Sequence, residues 1–502
     1  MSGKENVESY LGVDLGTGSC KCIIIDKNAT VLGVGGSEYV TRDSQGMWAE
    51  QDPEELINSM IRSIHNAYRN SRVNPKYCRS MSITGALHSL LLLDRRNNPL
   101  TGVITWVDER ATSQASELSH RLDPQEIYNE TGCPVHGLFP LYKIIWMRQN
   151  QPDLFKRAVR FVSGKEFVIS KLVEEFIIDP AIAAGSGLLN TYTLDWSERL
   201  LQITELSRSN FSKILPPDTV ISGINHSLAD RMGLPRDVKL VLGSADAANS
   251  SIGAGAISQD IATIMIGTSG AIRIISNRTI LDKKARSWCY AIDKSHWLVG
   301  GAINNGGLVL SWFRNILNQQ ARDFSFDRHL SYDDLIDFAG QSVSGARGVL
   351  CLPFFAGERS PNWNMQACGV FYGLKLQHGL SDIARSLLEG VAFRLRSIHE
   401  VLVEIGDQII EIRASGGFTH SDLWLQIIAN TLDKPLSIPG CAETSGLGTG
   451  IWALIGDRVI NTIEDAKFLN PVTKKIQPDG EVKIIYDQMY TQYQQLYSKL
   501  YD

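Results

Sequence analysis

The stretch YLGVDLGTGSCKCIIIDKNATVLGVGGSEYV, residues 10–40, contains three short apolar runs separated by GTGS and KNAT. Runs of this length, bounded by small and polar turn residues, read as strands, so the segment predicts an antiparallel β-meander at a sheet edge leading into a domain core. Asp14 stands at the end of the first strand, directly before Gly16-Thr17-Gly18, a turn whose amides can approach an anion closely. Two readings stay open at this point. One is a phosphate-binding loop with a carboxylate that orients a metal ion; the other is a plain hairpin whose Asp and Gly serve turn geometry.

A second segment has the same layout. Ile266-Gly267-Thr268-Ser269-Gly270-Ala271 again runs a β-branched strand into a Gly-Thr-Ser turn, and two such hairpins facing across a cleft would grip a nucleoside triphosphate from both sides. Farther on, Ala414-Ser415-Gly416-Gly417 ends a strand and opens a helix, where the absence of side chains lets a flat ring such as adenine lie against backbone. Gly243-Ser244-Ala245-Asp246-Ala247-Ala248-Asn249 sets an acid just beyond a buried strand, among residues too small to crowd a substrate. A carboxylate there can take the proton of an attacking hydroxyl; its structural alternative is the N-cap of a helix beginning at Ala247. Phosphoryl transfer needs positioning and charge neutralisation more than covalent chemistry, so a metal, backbone donors and one oriented base form a sufficient set.

Around these motifs the chain alternates strands and helices. EELINSMIRSIHNAYRNS puts Leu56, Met60, Ile61, Ile64 and Tyr68 on one helical face, followed by the strand-like SMSITG and LLLLDRR. VKLVLGSADA, ATIMIGTSGAIRIIS, EIRASGG and the helical DLWLQIIANTL continue the α/β rhythm. At 502 residues the chain exceeds the ~250–300 that one hydrophobic core supports, so two domains are expected, 1–250 and 251–502, joined near 244–256 with the substrate in the cleft between them. No short repeat, heptad array or low-complexity linker interrupts them.

Hydrophobic content of 43%, charged content of 21% and 43 glycines describe a globular enzyme rather than a disordered or fibrous chain. A net charge of -5 lacks the basic excess that nucleic acid or an anionic membrane surface would demand. No apolar run approaches the ~20 residues of a bilayer span, and MSGKENVESY lacks a signal-peptide core, so a cytoplasmic protein is expected. The eight cysteines include no CxxC, and Cys20 and Cys22 lie two apart in a strand, which suits buried reduced thiols rather than a redox or zinc site.

PLYKIIWMRQN at 140–150 resembles the first signature of the FGGY carbohydrate kinases, and GVFYGL at 369–374, followed by Asp382-Ile383 and by Ser386 through Glu389, resembles the second. Leu138 and Leu387 depart from the usual patterns. WAEQDP at 48–53, WVDER at 106–110 and FAGERSP at 355–361 match further blocks, so the resemblance covers nearly the whole chain.

The resemblance implies an α/β fold of two ribonuclease H-like domains flanking a cleft, the ATPase core shared by sugar kinases, actin and Hsp70, with closure that excludes water. Residues 1–250 would carry the sugar site and the first phosphate loop, and residues 251–502 the second loop and the adenine site. It implies Asp246 as general base, Asp14 orienting Mg²⁺ through water, and Thr17 and Thr268 on the phosphates. Gly267, Gly307, Gly416 and Gly417 would meet ATP through their backbones.

Within the family, Gly85-Ala-Leu87-His88-Ser89, the block from Ile182 to Asn190 and the block from Ala302 to Gly307 are similar to gluconate kinases, whereas xylulokinases usually show Gln-Met-His-Gly in the first. The reading that follows is ATP plus D-gluconate giving 6-phosphogluconate, with His88, Trp106 and Asp108 as substrate residues. A carboxylate on the substrate calls for a cation or several amide donors, and Arg110, Lys143, Lys165 and Arg359 are the available cations. Lys143 as an ion-pair partner and Arg110 as a brace through Asp108 are the structural alternatives. D-Xylulose phosphorylated by the same base is the nearest alternative; an Hsp70-like nucleotide-gated binding module is the rival from another class, and Asp246 speaks against it. The expected partner is thus a small sugar or sugar acid, and a homodimer is compatible with this reading.

Overall fold

The computed structural model describes residues 5–44, 48–323, 329–406 and 408–501, so residues 1–4 of the opening segment lie outside it. The chain forms two compact units, the first made of Met1–Ile257, Ile275–Leu298 and Glu443–Pro471, the second of Ser258–Ile274, Val299–Ala442 and Val472–Asp502.

The first unit is organised by a six-stranded sheet in the order Val220–Ile221, Lys239–Val241, Cys78–Gly85, Ser9–Leu15, Ser19–Ile25, Val31–Glu38. Its last three strands are the expected antiparallel meander, with Val31–Glu38 at the edge. Cys78–Gly85 pairs parallel with Ser9–Leu15, and Lys239–Val241 pairs parallel with Cys78–Gly85, which completes the ribonuclease H-like pattern. One strand-like run is placed differently: Leu91–Leu93 pairs with Arg160–Val162 in a separate two-stranded sheet. Its three residues are fully buried, so the uninterrupted apolar run marks burial on both faces rather than membership of the main sheet.

Helix Pro53–Asn70 starts at Asp52, whose side chain accepts from the Glu54 amide, and Pro53 sits where a missing N–H costs nothing. Leu56, Met60, Ile61, Ile64 and Tyr68 are all buried along it, as the helical spacing requires. Burying each of the aliphatic ones contributes about 1.5–3 kcal/mol.

A linear division at residue 250 does not describe the first unit, because helix Thr444–Gly456 also belongs to it. The reason is a run of glycines that permits backbone contact. A Cβ on Gly448 would lie 1.9 Å from the Asn249 carbonyl oxygen, and one on Gly253 would lie 1.9 Å from that of Thr444. Helix Thr444–Gly456 thereby meets helix Asp246–Gly253 with no side chain between them at these points.

In the second unit the strands Gly270–Ser276, Ile261–Ile266, Glu411–Ser415, Leu436–Pro439 and Val472–Ile476 are consecutive neighbours. A hairpin again leads into parallel pairs, Ile261–Ile266 with Glu411–Ser415 and Glu411–Ser415 with Leu436–Pro439. Each unit thus repeats one plan, in which a hairpin tip and the ends of the parallel strands lie close together.

Six cysteines are buried, Cys441 is half-buried and Cys368 is exposed, all as free thiols. Among the described residues no helix is long and apolar enough to cross a membrane.

Candidate active site

The first hairpin turns tightly: the Gly16 amide donates to the Ser19 carbonyl at 3.1 Å, leaving Thr17 and Gly18 at the tip. Its shape is enforced from outside. The Tyr39 hydroxyl donates to the Gly16 carbonyl, the Thr41 hydroxyl to the Thr17 carbonyl at 3.1 Å, and the Gln51 amide group to that same carbonyl. The Trp106 indole N–H donates to the Thr17 hydroxyl oxygen at 2.8 Å. Trp106, expected as a sugar residue, is therefore also part of the loop's support.

Asp14, at the base of this hairpin opposite Lys21, has its Oδ1 shielded from solvent without a hydrogen-bond partner. Burial first, and the neighbouring Asp246 carboxylate second, push its carboxyl up to about 7, opposed by the Ser445 hydroxyl and by Lys21. Lys21 itself pairs with Glu443 at 2.8 Å. A shielded carboxylate oxygen with a second acid nearby fits a hydrated divalent cation, whose charge would reverse the upward shift. Among the described residues no group of three or more His, Cys, Asp or Glu forms a protein-only metal cage, so a cation here would share its coordination with water and phosphate.

Asp246 is the first residue of its helix, and Ala245 occupies the N-cap position without a side-chain bond. The N-cap alternative is thus displaced by one residue; the Asp246 carboxylate instead accepts from the Ala247 amide at 2.7 Å. Ala245 bridges to Gly85, at the end of the strand parallel to the Asp14 strand, and this sets the acid beside the first hairpin.

The residues expected at the sugar all lie in the first unit. His88 has a backbone φ of 65°, its Nδ1 lies 2.7 Å from the Gly185 carbonyl oxygen, and its ring meets Phe139 edge-on at 4.9 Å. The Asp108 carboxylate is enclosed, accepting from the Arg110 guanidinium at 2.7 and 2.8 Å and from the Ala49 amide at 2.7 Å. Arg110 also pairs with Glu50 at 2.7 Å and lies 4.3 Å from the Trp48 ring centre. Arg110 accordingly acts as a brace through Asp108, the structural alternative raised by the sequence. Lys165 is buried in an ion pair with Asp179 at 2.6 Å. Lys143 makes no ion pair among the described residues; it is buried and donates to two backbone carbonyls. Arg359 donates to the Ile303 carbonyl at 3.2 Å in the second unit.

In the second unit, the hairpin of Gly267 and Thr268 is held by the start of the next helix: the Gly306, Gly307 and Leu308 amides donate to the Thr268 or Gly267 carbonyl at 2.7–3.1 Å. Gly267, Thr268, Gly307 and Gly417 line one cavity of about 580 Å³, together with Leu310, Ile336, Phe418 and Trp424 and with the polar Ser311, Asp337 and His420. This is the size and mixed lining of a small-molecule site. Gly416 stands behind it; its φ of 99° lies in the region that favours glycine, and a Cβ there would approach the Ile266 carbonyl oxygen to 2.6 Å. The helix expected to open at Gly417 is first a short 3₁₀ turn, Gly417–His420, before helix Asp422–Leu432.

Sequence reading missed Ser445 and Glu443, which act on Asp14, and Gln51, which holds Thr17. The small-residue run Thr444-Ser445-Gly446-Leu447-Gly448-Thr449-Gly450 was the available signal for a helix packed backbone to backbone.

Two domain models of the FGGY family of carbohydrate kinases match the chain, the N-terminal one over residues 9–253 and the C-terminal one over residues 262–456. The chain is 32% identical over 457 residues to a gluconokinase of Bacillus subtilis (strain 168), covering 90% of this chain and 88% of that protein. It is 26% identical over 500 residues to a xylulose kinase of Staphylococcus epidermidis, covering 98% and 97%. The crystal structure of a gluconate kinase from Lactobacillus acidophilus superposes with a TM-score of 0.92 at 30% identity, covering 98% of both chains. With paired ribonuclease H-like sheets, a small-residue hairpin in each unit and matches across both halves, the chain belongs to the FGGY family of carbohydrate kinases, phosphotransferases that take ATP as donor.

Proposed function

We propose that the chain transfers the γ-phosphoryl group of ATP to the 6-hydroxyl of D-gluconate, giving 6-phosphogluconate and ADP. The observation that carries the substrate is the 32% identity to a gluconokinase, against 26% to a xylulose kinase over similar lengths.

In this reading Asp246 accepts the proton of the attacking hydroxyl while its helix amide holds one carboxylate oxygen in place. Thr17 offers a phosphate oxygen its own proton, because its hydroxyl already accepts from Trp106. Thr268 and the backbones of Gly267, Gly307 and Gly417 hold the nucleotide along their cavity, with Gly416 shaping the turn behind. Mg²⁺ would neutralise charge on the phosphates, and Asp14 is the residue that would hold it through water. His88 and Trp106 face the acceptor, and the Asp108–Arg110 pair stiffens the wall behind them. With Arg110, Lys143 and Lys165 committed within the wall, the carboxylate of the acceptor is met by His88 or by amide donors.

The test is ADP release with Mg-ATP against D-gluconate, D-xylulose, L-ribulose, glycerol and L-fuculose. Turnover selective for gluconate is expected. Selectivity for xylulose would keep the family and the base and replace the substrate.

A further inference from the structure

Lys143 lies in the first helical turn of Pro140–Asn150 and is 0% exposed, so it cannot meet a substrate. Its Nζ donates to the Thr105 carbonyl at 2.6 Å and to the His88 carbonyl at 3.0 Å. These carbonyls belong to segments 17 residues apart in sequence (105 minus 88), one carrying the His88 imidazole and the other leading directly into Trp106.

We infer that Lys143 is a positioning residue for the acceptor sugar, tying the His88 backbone to the Thr105 backbone so that His88 and Trp106 form one rigid wall. The inference rests on the reading of that wall as the sugar site.

Three observations carry it. His88 holds φ at 65°, a left-handed conformation that costs a non-glycine residue about 1–2 kcal/mol and persists only where the surroundings over-determine it. Lys143 grips its carbonyl while Gly185 grips its ring, so the backbone and the side chain are fixed separately. An apolar residue at 143 would take from the half-buried His88 carbonyl the donor it has here and leave the Thr105 carbonyl with only the longer bond from the Asp108 amide at 3.3 Å, which gives a lysine a role where burial opposes its charge. The charged groups acting on it are Asp108, which favours the ammonium, and Arg110, which opposes it. Burial outweighs both and brings the amine down to about 7. A neutral amine has two N–H donors, the number that the two carbonyls use.

The experiment compares Lys143→Met and Lys143→Gln with the parent chain, using whichever acceptor of the panel the parent turns over. Lys143→Met should raise KM for the acceptor ~10-fold or more with KM for ATP within about twofold, because misplacing a sugar contact by ~1 Å can cost up to ~100-fold. Lys143→Gln, which keeps an N–H₂ group, should recover part of the loss. As pH falls through about 7, the acceptor KM of the parent should rise, since protonation adds a third N–H that neither carbonyl takes and a charge that Arg110 opposes, which loosens the tie; the Lys143→Met profile should lack that component. Unchanged acceptor KM, or equal loss for acceptor and ATP in a chain that stays folded by circular dichroism, overturns the inference. If Lys143→Met fails to fold, Lys143→Gln and the parent's pH profile decide alone. A parent selective for xylulose would refute the gluconate reading while leaving Lys143 to be tested on xylulose; a parent that neither turns over nor binds any acceptor by calorimetry removes both.

Discussion

The Trp106 indole donates to the Thr17 hydroxyl at 2.8 Å, joining Trp106 to the tip of the first hairpin across 89 positions of sequence. In the proposed reading Trp106 borders the acceptor and this one bond orients the Thr17 hydroxyl toward a phosphate, while Tyr39, Thr41 and Gln51 hold the hairpin backbone independently. Trp106→Phe should therefore raise KM for ATP as well as for the acceptor. In a double-mutant cycle, Trp106→Phe and Thr17→Val should be non-additive in kcat/KM by about 0.5–3 kcal/mol. Additive effects would mean that the bond couples nothing.

Asp246 and Asp14 should fail differently. Asp246→Asn keeps the shape of the side chain and removes the proposed base, so kcat should drop by ~10²–10⁴ with little change in either KM. Asp14→Ala should weaken Mg-ATP use by the same factor for every acceptor. An acceptor-selective loss in Asp14→Ala, or near-normal turnover in Asp246→Asn, would undo the respective role.

The contrast between these residues shows what sequence can carry. The placing of Asp14, Thr17 and Gly267 at hairpins and of Asp246 at a helix start was legible because strand, turn and acid are contiguous, and local chemistry fixes the shape of a short segment. Trp106 on Thr17, Ser445 beside Asp14 and the Ala49 amide on Asp108 were not, since each depends on tertiary packing between distant segments. The return of Thr444–Gly456 to the first unit has the same character: its glycines are visible in sequence, but the Asn249 carbonyl that requires one of them is not.

That contact gives a stability test. Gly448→Ala would place a methyl carbon 1.9 Å from the Asn249 carbonyl oxygen, and the obstacle is backbone rather than a rotatable side chain. The two helices must separate, at a cost of about 1–3 kcal/mol typical of overpacking. Because Asn249 also accepts from Trp452 at 2.8 Å and donates to Thr449 at 3.0 Å, separation strains buried hydrogen bonds as well. The denaturant midpoint should fall, and kcat should fall with it, since Asp246 lies three residues before Asn249 on the moving helix. A midpoint equal to that of the parent would show that the helices tolerate the methyl group.

Lys143 sets a pH dependence of stability whose sign follows from burial. Its folded value of about 7 lies below the ordinary 10.5, so between those pH values the unfolded chain holds a proton that the folded chain has shed. Wherever the unfolded state binds more protons, stability rises with pH. Below about 7 both states are charged and the burial penalty acts in full; from there upward it is progressively relieved until the unfolded lysine also loses its proton. The parent should thus gain stability relative to Lys143→Met between about pH 7 and pH 10, while groups common to both chains, such as the buried Glu166, cancel in the difference. Denaturant midpoints of the two proteins at pH 7 and pH 9.5 measure this directly. A gap independent of pH would mean that Lys143 stays charged throughout, which would require a buried counter-charge in place of the two carbonyls that now receive it.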